Sequence, residues 1–334
     1  MLYGAGQANR AILVSSVNRE FQIFEIAQPL GMFSTLTYCV FLARACEERG
    51  IEPYIIASSP FYRSSSKTRL SADRGYDWFA YYFDHRRLQL ADRDIATLRN
   101  ENKVIVVSSR SQINLFARGA EDREISNDFS KFSEARRLFD KYFAIRKSIL
   151  DEINAFDARN DADSLGIHFR GTDRQRESEP VEYRTMIETA SQYFPQLLSV
   201  FVATDEELFL AFARSQMPDR KIITFGSTAA RYHKVNQADN YDKGLHALAD
   251  CILLSRCKGM VKTSSALSAW SKVFAPEMEL VLVGKPYSNP WKRVNPWYNL
   301  KGLGYFPETL LYRWDPITMA ENRVIAIVAD PPHM

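Results

Sequence analysis

Between residues 165 and 283, short runs rich in β-branched and aromatic residues alternate with stretches whose apolar positions recur at helical spacing. The pattern predicts a strand at Leu165–Arg170, a helix from Val181 to Phe194, a strand at Leu198–Ala203 and a helix from Glu206 to Gln216. It continues with a strand at Lys221–Phe225, a helix from Lys243 to Cys257, a strand at Gly259–Thr263, a helix from Ser265 to Phe274 and a strand at Leu280–Val283. Such alternation is the mark of a doubly wound parallel sheet, where ligands sit beyond the carboxyl ends of the strands. The residues that end each strand are therefore the candidates for chemistry.

The first half repeats the theme less clearly. Ala11–Ser15, Phe21–Ile26, Glu52–Ala57 and Lys103–Val107 read as strands, with Tyr76–Phe83 as a further one. Gly31 sits in a turn, Ser34–Arg49 has helical character, and Gly50 follows as a C′ stop. The charged helical stretch Lys131–Asn160 marks the boundary. The expected architecture is α/β, with two α/β halves facing each other across a cleft. Residues 1–155 form the first domain and 160–310 the second, while 311–334 pack back on the first domain through the apolar run Arg323–Val328.

Composition narrows the partner. The 334 residues are 46% hydrophobic and 25% charged, which excludes disordered and low-complexity architectures. A formal charge of +3 is too small to announce a nucleic-acid surface or a polybasic membrane anchor. The cysteines, Cys39, Cys46, Cys251 and Cys257, lie in predicted helices at spacings that fit neither a zinc site nor a disulfide framework, and they read as small buried hydrophobes. No signal-peptide pattern or uninterrupted spanning run is present, so a soluble, cytoplasmic protein is expected, with peripheral membrane attachment left open.

The strongest local signal is His168-Phe169-Arg170-Gly171-Thr172-Asp173 at the end of the first strand of the second half. Alternation places His168 and Arg170 on one face and Phe169 in a core. An Arg at a strand end offers a two-pronged donor for a phosphate or carboxylate, and Gly171 permits a close turn. A surface salt bridge between Arg170 and Asp173 is the competing reading. The next strand ends in Thr204-Asp205-Glu206, which also suits a helix N-cap with acidic first-turn residues. Thr263-Ser264-Ser265 opens a helix, where hydroxyls and free amides make an anion site. Asp250 shares a polar helix face with Lys243 and His246, a face of the kind that is commonly solvated.

In this order the segments LGIHFRGTD, VFVATDE and GLHALADCILLSRCKGMVKTSSALS resemble the α1,6- and protein O-fucosyltransferase superfamily, including its nodulation-type members. The resemblance covers Leu165–Ala275 and, more weakly, Leu30–Ile56, where Gly31 and TYCVFLA match the family's first loop and helix. It implies a GT-B-like fold of two Rossmann-like domains, 1–155 on the acceptor side and 160–310 binding the nucleotide sugar, and an inverting, metal-independent transferase that moves fucose from GDP-fucose to a glycan acceptor. By position, Arg170 would bind the β-phosphate and stabilise the departing GDP. His168 and Asp250 would hold the nucleoside, Asp250 on the guanine, while Asp173 and Asp205 organise the site. Ser264 and Ser265 would contact the phosphates, and Gly31 would join the donor site. The chain departs from the family pattern at Gly171, where a second Arg is common, and at Met32-Phe33, where a polar pair is common. The catalytic base would be Glu177 or Glu179.

Other signals carry less. Asp161-Ala162-Asp163 and Asp92-Arg93-Asp94 have the form of a metal-binding DxD but not its position; the resemblance implies no metal or other cofactor. Gly4-Ala5-Gly6 lacks the helix that a dinucleotide fingerprint needs. His85, flanked by Asp84, Arg86 and Arg87, reads as a surface residue. The aromatic residues of 76–83 read as core, and Trp291 and Trp297 as core or sugar-stacking rings. Two alternatives stand: a GT-B transferase using another nucleotide sugar, or a non-catalytic nucleotide-sugar or glycan binder.

Overall fold

In the computed structural model, the described residues are 20–63, 76–108, 112, 132–157, 163–171, 181–226, 240–263, 265–284, 310–314 and 325–328. The first half contains β1 (Phe21–Ile26), α1 (Met32–Glu47), β2 (Glu52–Ala57), α2 (Phe79–Tyr82), β3 (Phe83–His85), α3 (Asp92–Asn100), β4 (Val104–Val107), α4 (Phe132–Tyr142), β5 (Phe143–Ile145) and α5 (Lys147–Asp157). The second half adds β6 (Ser164–Phe169), α6 (Tyr183–Tyr193), β7 (Ser199–Thr204), α7 (Glu207–Gln216), β8 (Lys221–Ile223), α8 (Tyr241–Ser255), β9 (Gly259–Lys262), α9 (Ala266–Phe274), β10 (Glu279–Gly284), β11 (Leu310–Trp314) and β12 (Ile325–Val328).

The first sheet is parallel in the order β2-β1-β4, and the second runs β12-β11-β10-β9-β6-β7-β8. Within the second sheet β10 through β8 are parallel, with β6 between β9 and β7. The last two strands pair antiparallel: Ile325–Val328 lies against Leu310–Trp314, which lies against β10. The run expected to return to the first half thus extends the edge of the second sheet, where its β-branched residues find ladder partners.

Two other expectations change. Tyr76–Phe83 is not a strand: Asp77 Oδ1 accepts from the backbone N–H of Phe79 (3.1 Å) and of Ala57 (2.9 Å), starting the turn that becomes α2. Trp78, Phe79, Tyr81, Tyr82 and Phe83 are all buried, so every face of the run is apolar and the period carried no information. Likewise Lys131–Asn160 is two helices interrupted by β5, which pairs antiparallel with β3 and seats Phe143 edge-on to Phe79 at 5.4 Å. His85 is buried as well. It stacks on Tyr54 at 4.0 Å, and its Nε2 accepts the Ile55 N–H at 3.0 Å, so its charged neighbours in sequence misreport its surroundings.

α1 is buried nearly all round because it lies between the first sheet, α4, and α9 of the second half. One apolar core runs from β1 and α1 through α4 into α8 and α9. Polar pins cross it: Trp270 Nε1 donates to Thr37 Oγ1 at 3.0 Å, Tyr82 donates to the Tyr241 carbonyl at 2.8 Å, and Arg136 donates to the Phe274 carbonyl at 2.8 Å. All four cysteines are buried free thiols. Burial raises each of them, Cys46 and Cys257 to about 12, which keeps them protonated and unreactive. Among the described residues no helix is long and apolar enough to cross a membrane.

Candidate functional site

The cleft opens beyond the carboxyl ends of β6 and β7 and encloses about 680 Å³, counting the part open to solvent. Its second-half wall comes from His168, Phe169 and Arg170 after β6, Ala203 to Asp205 after β7, and the start of α9 at Ala266 and Leu267. Its first-half wall is Gly31 to Ser34 at the start of α1, with Tyr62. Lys243, Ala247 and Asp250 of α8 close it.

β6 is the middle one of the five parallel strands, buried from Leu165 onward, and it carries Arg170 out of the core to a half-buried position. Neighbouring strand ends hold that exit. The Arg170 N–H donates to Thr263 Oγ1 at 3.1 Å, the Thr263 N–H donates to the His168 carbonyl at 3.0 Å, and the Gly171 N–H donates to Asp205 Oδ1 at 3.2 Å. Asp205 therefore holds the backbone at Gly171, directly after Arg170. A side chain at position 171 would begin 2.0 Å from Glu206 Oε1, so the Glu206 carboxylate fills the space that a larger residue would need. The same carboxylate accepts from Tyr183, and burial followed by this contact pushes the Tyr183 phenol up to about 12.

His168 is 4% exposed and Asp250 2% exposed, so both are buried in the cleft wall. The polar face of α8 is thus not solvated. Lys243 and Asp250 sit under the first half, and His246 packs edge-on to Phe225 at 5.4 Å. Ser265 is the N-cap of α9, fully buried, and it does not line the cleft; its two successors do. Gly31 caps α1 in an extended conformation, φ −62°, on the opposite wall. Asp173, Glu177, Glu179 and Ser264 lie outside the described residues, as do Gly4-Ala5-Gly6, Trp291, Trp297 and the strand expected at Ala11–Ser15. Of the DxD-like runs, Asp94 lies on α3 and Asp163 pairs with Lys258 at 3.2 Å, both away from the cleft.

Two cleft residues were missed in the sequence. Tyr62 is buried, and its hydroxyl accepts the Met32 N–H at 2.9 Å, fixing the first turn of α1 against the wall. Burial raises its phenol; the Met32 contact and the charge of Arg170 pull it partly back. Lys243 is 9% exposed, and burial together with the adjacent Arg170 charge holds its ammonium below the ordinary lysine range. A signal for Lys243 did exist: Lys243, Ala247 and Asp250 recur at i, i+4, i+7, one stripe of a helix.

The cleft thus combines an Arg at a strand end, two helix N-termini and a buried His and Asp. Such a site can take an anion at its mouth and a polar ring in its wall. No family model matches the chain, and no curated protein matches it in sequence. Among solved structures, a NodZ α1,6-fucosyltransferase soaked with GDP-fucose superposes with a TM-score of 0.51 at 16% identity, over 88% of this chain and 99% of that one. The chain shares the fold of that structure. More distant matches include an Arabidopsis thaliana fucosyltransferase in complex with GDP, at a TM-score of 0.46 and 11% identity over 81% of this chain and 72% of that one. Another is POFUT1 in complex with GDP, at 0.44 and 10% over 78% and 95%. In this GT-B arrangement the cleft falls between the two α/β halves, with strand ends on one side and the start of α1 on the other.

Proposed function

We propose that the chain is an inverting glycosyltransferase that moves fucose from GDP-fucose to a glycan acceptor without a metal ion. The observation that carries this reading is the placement of Arg170, at the carboxyl end of β6 and in the same cleft as the buried His168 and Asp250. Breaking the anomeric C–O bond builds negative charge on the leaving diphosphate. In this reading Arg170 and the first-turn amides of α9 take that charge, with the contribution of one well-placed donor on the order of 3–4 kcal/mol. His168 and Asp250 hold the base, a buried carboxylate being suited to the N–H edge of guanine. Glu177 or Glu179 removes the proton from the acceptor hydroxyl, a role worth roughly 10²–10⁴-fold. Asp173 supports the turn, and Ser264 belongs to the phosphate end. Acceptor choice falls to the loops of the first half.

The test has two arms. Thermal melting with GDP, UDP and ADP should show stabilisation by GDP above the other two. Transfer from GDP-fucose to a glycan array should then reveal product of inverted configuration. Stabilisation by UDP and not by GDP would overturn the donor assignment, and GDP binding without transfer to any glycan would leave a binding protein.

A further inference from the structure

Lys243 lies in the first turn of α8, and among the described residues it makes no hydrogen bond or salt bridge. Its Nζ is buried without a hydrogen-bond partner among the described residues. The aromatic faces of Phe61 and Tyr62 hold it, at 5.2 Å and 5.7 Å from the ring centroids. It lines the same cleft as Arg170, whose charge acts on it unfavourably. The start of α1, with no acidic residue in its first turn, adds a third source of positive potential on the facing wall.

A buried, unpaired ammonium beside a like charge costs the empty protein stability. An anion that enters the cleft beside Lys243 relieves that cost. A diphosphate has charged oxygens enough to reach Lys243 and Arg170 from one bound position. We infer that Lys243 is a second diphosphate-binding residue, contacting the phosphates from the α8 side while Arg170 contacts them from the strand end. The inference rests on the donor reading above for the identity of the nucleotide, but not for the phosphates. It also gives the Gly171 turn a consequence: with Glu206 occupying the space beside position 171, the second cation of the site comes from another element.

Calorimetric titration of the full chain and of Lys243→Met and Lys243→Gln with inorganic pyrophosphate, GDP and guanosine tests this. Both variants should lose roughly 10- to 100-fold in affinity for pyrophosphate and GDP. Guanosine binding should be unchanged. Melting without ligand should show Lys243→Met at least as stable as the parent, since a buried unpaired charge has been removed. Pyrophosphate and GDP affinities within twofold of the parent in a folded variant would overturn the inference. So would a variant whose only change is a lower melting temperature. A parent protein that binds pyrophosphate through Lys243 but does not bind GDP would overturn the donor reading and leave this one standing. GDP binding independent of Lys243 would do the reverse.

Discussion

Gly244→Ala tests the joint that holds α8, and with it the cleft wall, against the first half. A Cβ at position 244 would lie 2.2 Å from the Tyr82 hydroxyl oxygen and 2.4 Å from Cζ. The opposing effect is backbone propensity, since Ala in a helix interior is favoured over Gly by about 1 kcal/mol. Sterics win because Tyr82 has nowhere to go. Its ring is fully buried, stacked on Tyr241 at 5.4 Å, edge-on to Trp78 at 6.4 Å, and its hydroxyl donates to the Tyr241 carbonyl at 2.8 Å. Overpacking costs about 1–3 kcal/mol. Displacing the ring adds the hydrogen bond, about 0.5–1.5 kcal/mol, and the stack, about 0.5–1.5 kcal/mol. The expected net loss is about 1–5 kcal/mol. Urea denaturation followed by fluorescence reads it, because Trp78 and Trp270 are both buried in the affected core. Tyr82→Phe removes the nearer oxygen but leaves Cζ, so the double variant should recover part of the loss and the cycle should be non-additive. Gly244→Ala as stable as the parent, or a strictly additive cycle, would refute the packing argument.

Arg170→Ala should lower transfer from GDP-fucose by about 10²–10³-fold while leaving the urea midpoint close to the parent's, because Arg170 is half-buried at a strand end; near-normal turnover would sink its assignment. Thr37→Val is nearly isosteric, yet it leaves the buried Trp270 indole N–H without its acceptor and should cost about 1–3 kcal/mol in denaturation, with Thr37→Ser costing less. Lys272, fully buried and donating to the Met278 carbonyl, is brought by burial from 10.5 to about 6, with Glu277 opposing. Between about pH 6 and 9 the unfolded chain binds this proton and the folded chain does not, so the lysine makes stability rise with pH at up to about 1.4 kcal/mol per unit. The difference in unfolding free energy between the parent and Lys272→Met should therefore shrink steadily across that window, and a difference independent of pH would refute it.

What could be read from the sequence was local. β6 to β10 and the helices between them followed from periodicity, because each strand is a short apolar run and each helix presents one dominant apolar stripe. Arg170 was legible for the same reason: a charge that directly follows an apolar strand must emerge at the strand end, and the parallel order places that end at a cleft. The aromatic run at 76–83 defeated this reasoning, since a segment buried on every face has no period to reveal its form. His85 looked solvated because its sequence neighbours are charged, whereas Tyr54 covers it from another strand.

The sequence alone therefore determined the α/β alternation, the strand-end position of Arg170 and the apolar stripe of α8. Only the tertiary structure decided that the polar stripe of α8 is also covered, that Lys243 and Asp250 face the same cleft as Arg170, and that α8 and α9 share a core with α1. The physical reason is one of range. Hydrophobic periodicity reports which face of an element seeks a partner, but the desolvation of Lys243 depends on Phe61 and Tyr62, some 180 residues away along the chain. No local pattern encodes what closes over a charge.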